Sequence, residues 1–186
     1  MTSRSRAIVN AADKVVGEFL VGEKEKFNLT LQVKPSLELG KELTRITQAN
    51  MEELYNACPE AEWKWNTDSK LKSLLKCKVI TVHEESASLV GFLAFRFLID
   101  ANRPVAYVYE LQIVPSYSGQ GLGSFLMSEL ERLCRQLIPG ISHIVLTCFL
   151  HNSAGMSFYK RIGYTTDVTS PREGGSSYVI LSKAIK

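Results

Sequence analysis

Apolar residues recur along this chain with two periods, and the periods divide it. Between residues 4 and 21, Ile8, Ala11, Ala12, Val15, Val16, Phe19 and Leu20 fall on one helical stripe, with Gly22 as a stop. Phe27, Leu29, Leu31 and Val33 alternate strictly, which predicts a half-buried strand ending at Pro35. Helical spacing returns at Leu43, Ile46, Met51, Leu54 and Tyr55 and closes near Pro59. The stretch EAEWKWNTDSK comes next with Trp63 and Trp65, and a third helix, capped by Asp68 or Ser69, carries Leu71, Leu74 and Leu75.

From residue 77 the texture changes to strands. Cys77–His83, Leu89–Asp100 and Val105–Val114 are separated by a polar turn over residues 84–88 and by Asn102, Arg103 and Pro104. Three strands on short turns predict an antiparallel meander. A helix over residues 119–138 is stopped by Pro139 and Gly140. A strand at 143–149, a helix at 153–162, a strand at 164–168 and a last strand at 177–185 complete the chain. The strand–helix–strand run across 107–149 is long enough for a right-handed crossover between parallel neighbours. The fold class is therefore α+β with a mixed, mostly antiparallel sheet flanked by helices. It is read as one domain over residues 1–186, with a helical extension over about residues 1–25.

Composition narrows the picture only slightly. A net charge of +3 is too small to argue nucleic-acid binding, and no apolar run is long enough to span a bilayer. Cys58, Cys77, Cys134 and Cys148 form no CxxC or Cys/His pairs, so no metal site is expected, and Cys77 and Cys148 read as reduced core residues. The first residues lack a secretory apolar region, so a reducing, intracellular compartment is the default. A monomer is expected.

The chemistry is concentrated in Tyr107 to Leu126, YVYELQIVPSYSGQGLGSFL. A strand runs to Val114, Pro115 ends it, and Gly119, Gly121 and Gly123 lead into a helix. Three glycines at a helix start expose backbone N–H groups at the positive end of the dipole, which suits a phosphate, although glycines also serve turns that bind nothing. Glu110 lies inside the apolar run VAYVYELQIV, where a carboxylate needs ionic or hydrogen-bonded partners.

Two segments in order, ELQIVPSYSGQGLG and LTCFLHNSAGMSFYKRIGYT, resemble the GNAT superfamily of acetyl-CoA-dependent N-acetyltransferases. The superfamily pattern opens with Arg or Gln; here that position is Ser118. A closer resemblance is to the NatD group of histone N-terminal acetyltransferases. It is carried by Phe95-Arg96-Phe97, Tyr107-x-Tyr109-Glu110-x-Gln112, Leu146-Thr147-x-Phe149-x-His151-Asn152, Ser177-Tyr178-x-Ile180-Leu181-Ser182 and Glu62-Trp63-x-Trp65. The resemblance implies a GNAT fold, splayed near the acetyl-CoA site, and direct acetyl transfer to an N-terminal amine without a metal. The implied acceptors are the tails of histones H4 and 2A, which begin Ser-Gly-Arg-Gly, with residence in nucleus and cytoplasm.

By the same resemblance, Leu111, Gln112 and Ile113 bond the pantetheine. The turn Gly119, Gln120, Gly121, Leu122, Gly123 and Ser124 holds the pyrophosphate, and Asn152 bonds the pantetheine arm. Glu110 is the candidate base and Tyr159 the candidate acid at the thiolate, with Tyr109 beside them. Tyr55, Trp63, Tyr107, Tyr109, Thr147 and Tyr178 wall the acceptor pocket, and Asp100 meets an arginine. An acidic patch of Glu60, Glu62, Asp100 and Glu110 draws in the basic tail. Bland readings stand beside these. Glu110 fits a structural pair, Tyr159 a core aromatic, Asp100 a solvated turn charge, and Trp63 with Trp65 a helix anchor. Other classes also fit the motifs: a lysine or small-amine acetyltransferase, or a non-catalytic acyl-CoA-binding adaptor. Strict alternation puts Tyr109 and Glu110 on opposite faces of their strand, so a shared site requires a β-bulge there.

Overall fold

The computed structural model describes residues 3–15, 24, 26–138, 140–172 and 174–185. Helix α1 (Ser3–Val15) accounts for the first part of the amino-terminal stripe; residues 16–21 and the stop at Gly22 lie outside the described residues. Strand β1 (Phe27–Gln32) is followed by α2 (Leu37–Ala57) and α3 (Thr67–Leu74). The Ser36 hydroxyl accepts from the Leu39 N–H at 3.2 Å and caps α2. Helix α3 is capped by Asn66, whose Oδ1 accepts from the Ser69 N–H at 2.8 Å, not by Asp68 or Ser69. The reason is register: Asn66 is the last residue with extended backbone, so only its side chain faces the open N–H groups.

The meander is formed by β2 (Lys78–Glu84), β3 (Leu89–Asp100) and β4 (Arg103–Ile113). Then come α4 (Leu122–Leu137), β5 (His143–Phe149), α5 (Ser153–Arg161), the two-residue β6 (Thr165–Thr166) and β7 (Tyr178–Ala184). Helix α4 starts later than its apolar pattern suggests. Residues Pro115–Tyr117 form a 3-10 turn, and Gly119 and Gly121 hold left-handed φ of 78° and 75°.

Among the described residues the strands form one sheet in the order β1-β2-β3-β4-β5-β7-β6. All pairs are antiparallel except β4 with β5, the two strands that the α4 crossover joins. The sheet has a core on each face. Leu126, Leu130 and Leu133 of α4 and Ala12 of α1 pack with Leu93, Phe95, Val108, Ile144 and Leu146. Leu43 and Ile46 of α2 and Leu74 of α3 pack with Val79, Phe92 and Ala94 on the other face. Phe92 and Phe95, of opposite parity in β3, are fully buried on opposite faces, each contributing roughly 2–3 kcal/mol.

Two irregularities in β4 open the sheet. Ala94 pairs with Glu110 but Phe95 pairs with Val108, so Tyr109 is an extra residue on the β4 side: a bulge at the expected place. Strand β4 also pairs with β5 only from Val105↔His143 to Val108↔Leu146. Beyond that point β4 continues along β3 to Ile113, while β5 continues along β7 to Phe149. The sheet forks.

Candidate active site

The fork opens a cleft of about 760 Å³, within the size range of small-molecule sites. It passes through the sheet from one face to the other. On one side stand Ser118, Gly123, Asn152, Gly155, Phe158 and Tyr159; on the other stand Asn50, Tyr55, Trp63, Trp65 and Lys70. The walls between are Tyr107–Ile113 of β4 and Leu146–Phe149 of β5. The ladder between β4 and β5 ends at Val108 and Leu146, so the strand edges beyond offer main-chain donors and acceptors to a ligand.

The bulge decides which side chains meet. Before it, Tyr107 shares the α2–α3 face of the sheet; after it, so do Glu110 and Gln112, because one extra residue reverses the alternation. Tyr109, the bulged residue, also packs on that face, its ring 5.4 Å from that of Tyr107. Leu111 and Ile113 turn to the α4 face. Tyr107 and Thr147 share a hydroxyl hydrogen bond at the root of the fork.

Glu110 is 6% exposed and has three partners. Lys70 of α3 forms an ion pair with its Oε1, Tyr55 donates to the same oxygen at 3.4 Å, and Gln112 Nε2 donates to Oε2 at 2.8 Å. Asn50 in turn donates to Gln112 Oε1 and to the Ile113 carbonyl, both at 3.0 Å. The Lys70 ammonium also donates to Tyr55 Oη at 2.7 Å and lies over the Tyr55 ring at 4.5 Å. Burial pulls the Lys70 pKa down, but the Glu110 and Tyr55 charges and hydrogen bonds outweigh it and hold it above the usual lysine range. Lys70 therefore stays charged and is no acceptor itself. Burial, and then the Glu110 charge, push the Tyr55 hydroxyl up to about 12. Burial raises the Tyr159 hydroxyl as well, so it keeps its proton, as a proton donor requires.

The remaining expected residues divide. Trp63 lines the cleft, edge-on to Phe149 at 5.5 Å, and Tyr178 stands behind Trp63 at 5.3 Å as its support, outside the lining. Asn152 lines the cleft and caps α5, its Oδ1 accepting from the Gly155 N–H at 2.9 Å, so the cap does not use its amide N–H groups. Gly155 is the residue this cap requires, since a Cβ there would sit 2.8 Å from Asn152 Nδ2. In the glycine turn, Gly119, Gln120, Gly121 and Ser124 lie at the α4 start beside Gly123, which lines the cleft; Leu122 contributes backbone only, its side chain being 1% exposed in the core.

Asp100 sits at the β3–β4 hairpin tip, outside the cleft lining, with its carboxylate bonded by Arg103 at 3.3 Å and Thr169 at 3.5 Å, and its charge reaches the Tyr107 hydroxyl. The expected acidic patch likewise does not gather. Glu60 accepts from the Ser177 hydroxyl and N–H, Glu110 is paired with Lys70, and Glu62 alone of the four lines the cleft without a partner among the described residues. His151 is structural, stacked on Phe149 at 5.2 Å with Nε2 bonded to the Leu54 carbonyl at 2.9 Å. Sequence reasoning missed Lys70 and Asn50. Lys70 reads as part of a solvated helix face, and nothing local marks it.

The pattern of the Acetyltransferase (GNAT) family matches residues 41–164, well over half of the chain. The chain belongs to this family. An N-acetyltransferase of Porphyra purpurea, ycf52, itself uncharacterized, is 31% identical over 130 residues, covering 67% of this chain and 70% of that one. The GNAT fold recurs in solved structures of low identity. Arabidopsis thaliana NAA60 with a bisubstrate analogue aligns with a TM-score of 0.61 at 13% identity, over 86% of this chain and 99% of that one. The PaiA N-acetyltransferase of Thermoplasma acidophilum, in complex with coenzyme A, aligns at 0.59 and 22%, over 84% and 99%. The ribosomal-protein-S18-alanine N-acetyltransferase of Escherichia coli aligns at 0.58 and 16%, over 86% and 95%. This protein is thus a GNAT acetyltransferase, and the family's donor is acetyl-CoA.

The cleft fits that donor. The free β4 edge suits an extended amide-bearing arm, and the space over Gly119 is open, with no atom of the described residues beyond its chain neighbours within 4 Å of where a Cβ would be. The first turn of α4 carries no acidic residue and no side-chain cap, which suits phosphates.

Proposed function

We propose that this GNAT protein is an N-α-acetyltransferase that passes acetyl directly from acetyl-CoA to the amino terminus of a peptide. The observation that carries this reading is the bulge at Tyr109, which gathers Tyr107, Tyr109 and Glu110 on the side of the fork opposite the glycine turn. Acetyl-CoA supplies an activated thioester. The free N–H groups of β4 are placed to polarise its carbonyl as negative charge develops. Glu110 takes the amine's proton through water. A carboxylate has about four lone-pair sites. Here Lys70, Tyr55 and Gln112 occupy three of them. Tyr159 donates a proton to the departing sulfur.

An acceptor needing little help from a base suits so heavily bonded a carboxylate. An α-amine, with an ordinary pKa of about 7.7–8.0, is already partly neutral; a lysine amine near 10.4 is not. Tyr55, Trp63, Trp65 and Phe149 line the acceptor end with rings in mutual contact, which favours acceptors that begin with small residues such as Ser and Gly. The tails of histones H4 and 2A are the acceptors we favour, with Glu62 in the place expected of Asp100 for the third-position arginine. Such acceptors would put the enzyme in nucleus and cytoplasm.

The test is labelled acetyl-CoA with a Ser-Gly-Arg-Gly-Lys peptide, free or blocked at its amino terminus, and with the arginine changed to glutamate. Label in the free arginine peptide alone supports the reading. Label in the blocked peptide makes it a lysine enzyme. Equal label in the glutamate peptide rejects the basic-tail preference, and no label in any peptide, with acetyl-CoA bound, rejects the N-α activity on such tails.

A further inference from the structure

The glycine turn lacks the side chain with which the superfamily pattern opens, since Ser118 stands there. The fold brings a replacement from elsewhere. Lys24, just before β1, forms a β-bridge to Phe27 and accepts the Phe27 N–H at its carbonyl at 2.8 Å. Phe27 packs edge-on against Tyr117, the residue before Ser118, with ring centroids 6.2 Å apart. That pair ties the Lys24 segment to the turn. The Lys24 ammonium reaches the α4 N-terminus: it lies 3.9 Å from the point where a Cβ on Gly121 would be, and 5.7 Å from the Phe125 ring centroid.

Apart from the face of the Phe125 ring, which attracts the ammonium, this is an unfavourable place for a cation on its own. The helix N-terminus carries the positive end of the dipole and repels an ammonium. No acidic residue in the first turn of α4 offsets it, and Lys24 forms no ion pair among the described residues. An anion between the ammonium and the first N–H groups of the helix turns both charges to use.

We propose that Lys24 binds the pyrophosphate of acetyl-CoA, supplying from the amino-terminal segment the contact that Ser118 cannot. The inference rests on the family's donor and not on the choice of acceptor. Calorimetric titration of the full chain with coenzyme A and with 3′-dephospho-coenzyme A, for wild type, Lys24→Met and Lys24→Arg, tests it. Lys24→Met should weaken both ligands about 3- to 10-fold, the scale of one charge-assisted contact at a partly exposed site, while Lys24→Arg stays within about 2-fold of wild type. The melting temperature of the ligand-free Lys24→Met protein should not fall, because the cation does nothing for the empty helix end. Equal affinities of wild type and Lys24→Met overturn the proposal. So does a loss seen with coenzyme A but absent with the dephospho form, which would move the contact to the 3′-phosphate. A lowered melting temperature with the same loss would make Lys24 a structural residue. Failure of the wild type to bind either ligand would instead count against the donor itself.

Discussion

At the residue scale the site turns on one buried carboxylate and its company. Glu110 and Lys70 neutralise each other in a place where neither charge would be tolerated alone. Glu110→Gln keeps the shape and the Gln112 contact but removes the proton acceptor. We expect kcat to drop about 100-fold or more, with acetyl-CoA affinity changed by less than about 2-fold. Single-turnover kinetics and calorimetry check this, and an unchanged rate would leave Glu110 a structural residue. The pair also has a defined pH range. Because the Lys70 pKa is raised on folding, its contribution to stability is complete below the ordinary lysine pKa and is lost only as pH rises through the higher folded value. Denaturation midpoints should therefore show no loss from this pair between pH 7 and about 10. An apolar run with one carboxylate announced Glu110 as unusual. Its partner came from a helix whose polar residues Ser69, Lys70 and Ser73 look in sequence like any solvent-facing row.

At the scale of elements, the segment between α2 and α3 is latched across the acceptor end. Lys64 donates to the Asn56 and Cys58 carbonyls, and Glu60 grips the start of β7. Hydrogen bonds from the Ser177 hydroxyl, from Cys58 and from the Ser177 N–H hold the Glu60 carboxyl down to about 2 from 4.5. A depressed carboxyl stabilises the fold above its unfolded pKa, so the latch should hold at pH 5 and loosen as pH falls toward 2. Tryptophan emission, reporting Trp63 and Trp65, should shift over that range in wild type. In Glu60→Gln it should be shifted already at neutral pH, with a smaller acid response; equal acid responses would remove Glu60 as the latch. The β3–β4 pair offers a second check. A Cβ on Gly91 would lie 2.6 Å from Ile113 Cδ1 and 2.9 Å from the Gln112 carbonyl oxygen, which is backbone. Gly91→Ala should cost about 1–3 kcal/mol in urea denaturation and disturb the strand that carries the site. Strand-like runs between short polar turns announced both strands. The bulge between them was legible only as a conflict, with two functional residues of opposite parity that had to share one face.

At the scale of the whole molecule, the fork is a built-in gap, and filling it should tighten the fold. Acetyl-CoA at about 100 times its Kd adds roughly 2.7 kcal/mol to the stability of a protein that binds it only when folded. For a chain of this length that raises the melting temperature by about 5–10 °C, measurable by thermal shift, and no rise would argue against donor binding in the fork. The sequence by itself determined the order of helices and strands, the glycine turn and the crossover that makes β4 and β5 parallel. Each of these comes from short-range periodicity and from backbone conformations that few residues allow. Only the tertiary structure decided who stands next to whom: Lys70 on Glu110, Lys24 at the turn that lacks its own cation, Arg103 on Asp100. The first two pairs join residues tens of positions apart through charge and shape, and the third closes across a hairpin tip that the strands had to form first. Local pattern holds no record of a partner that arrives from the far end of the chain.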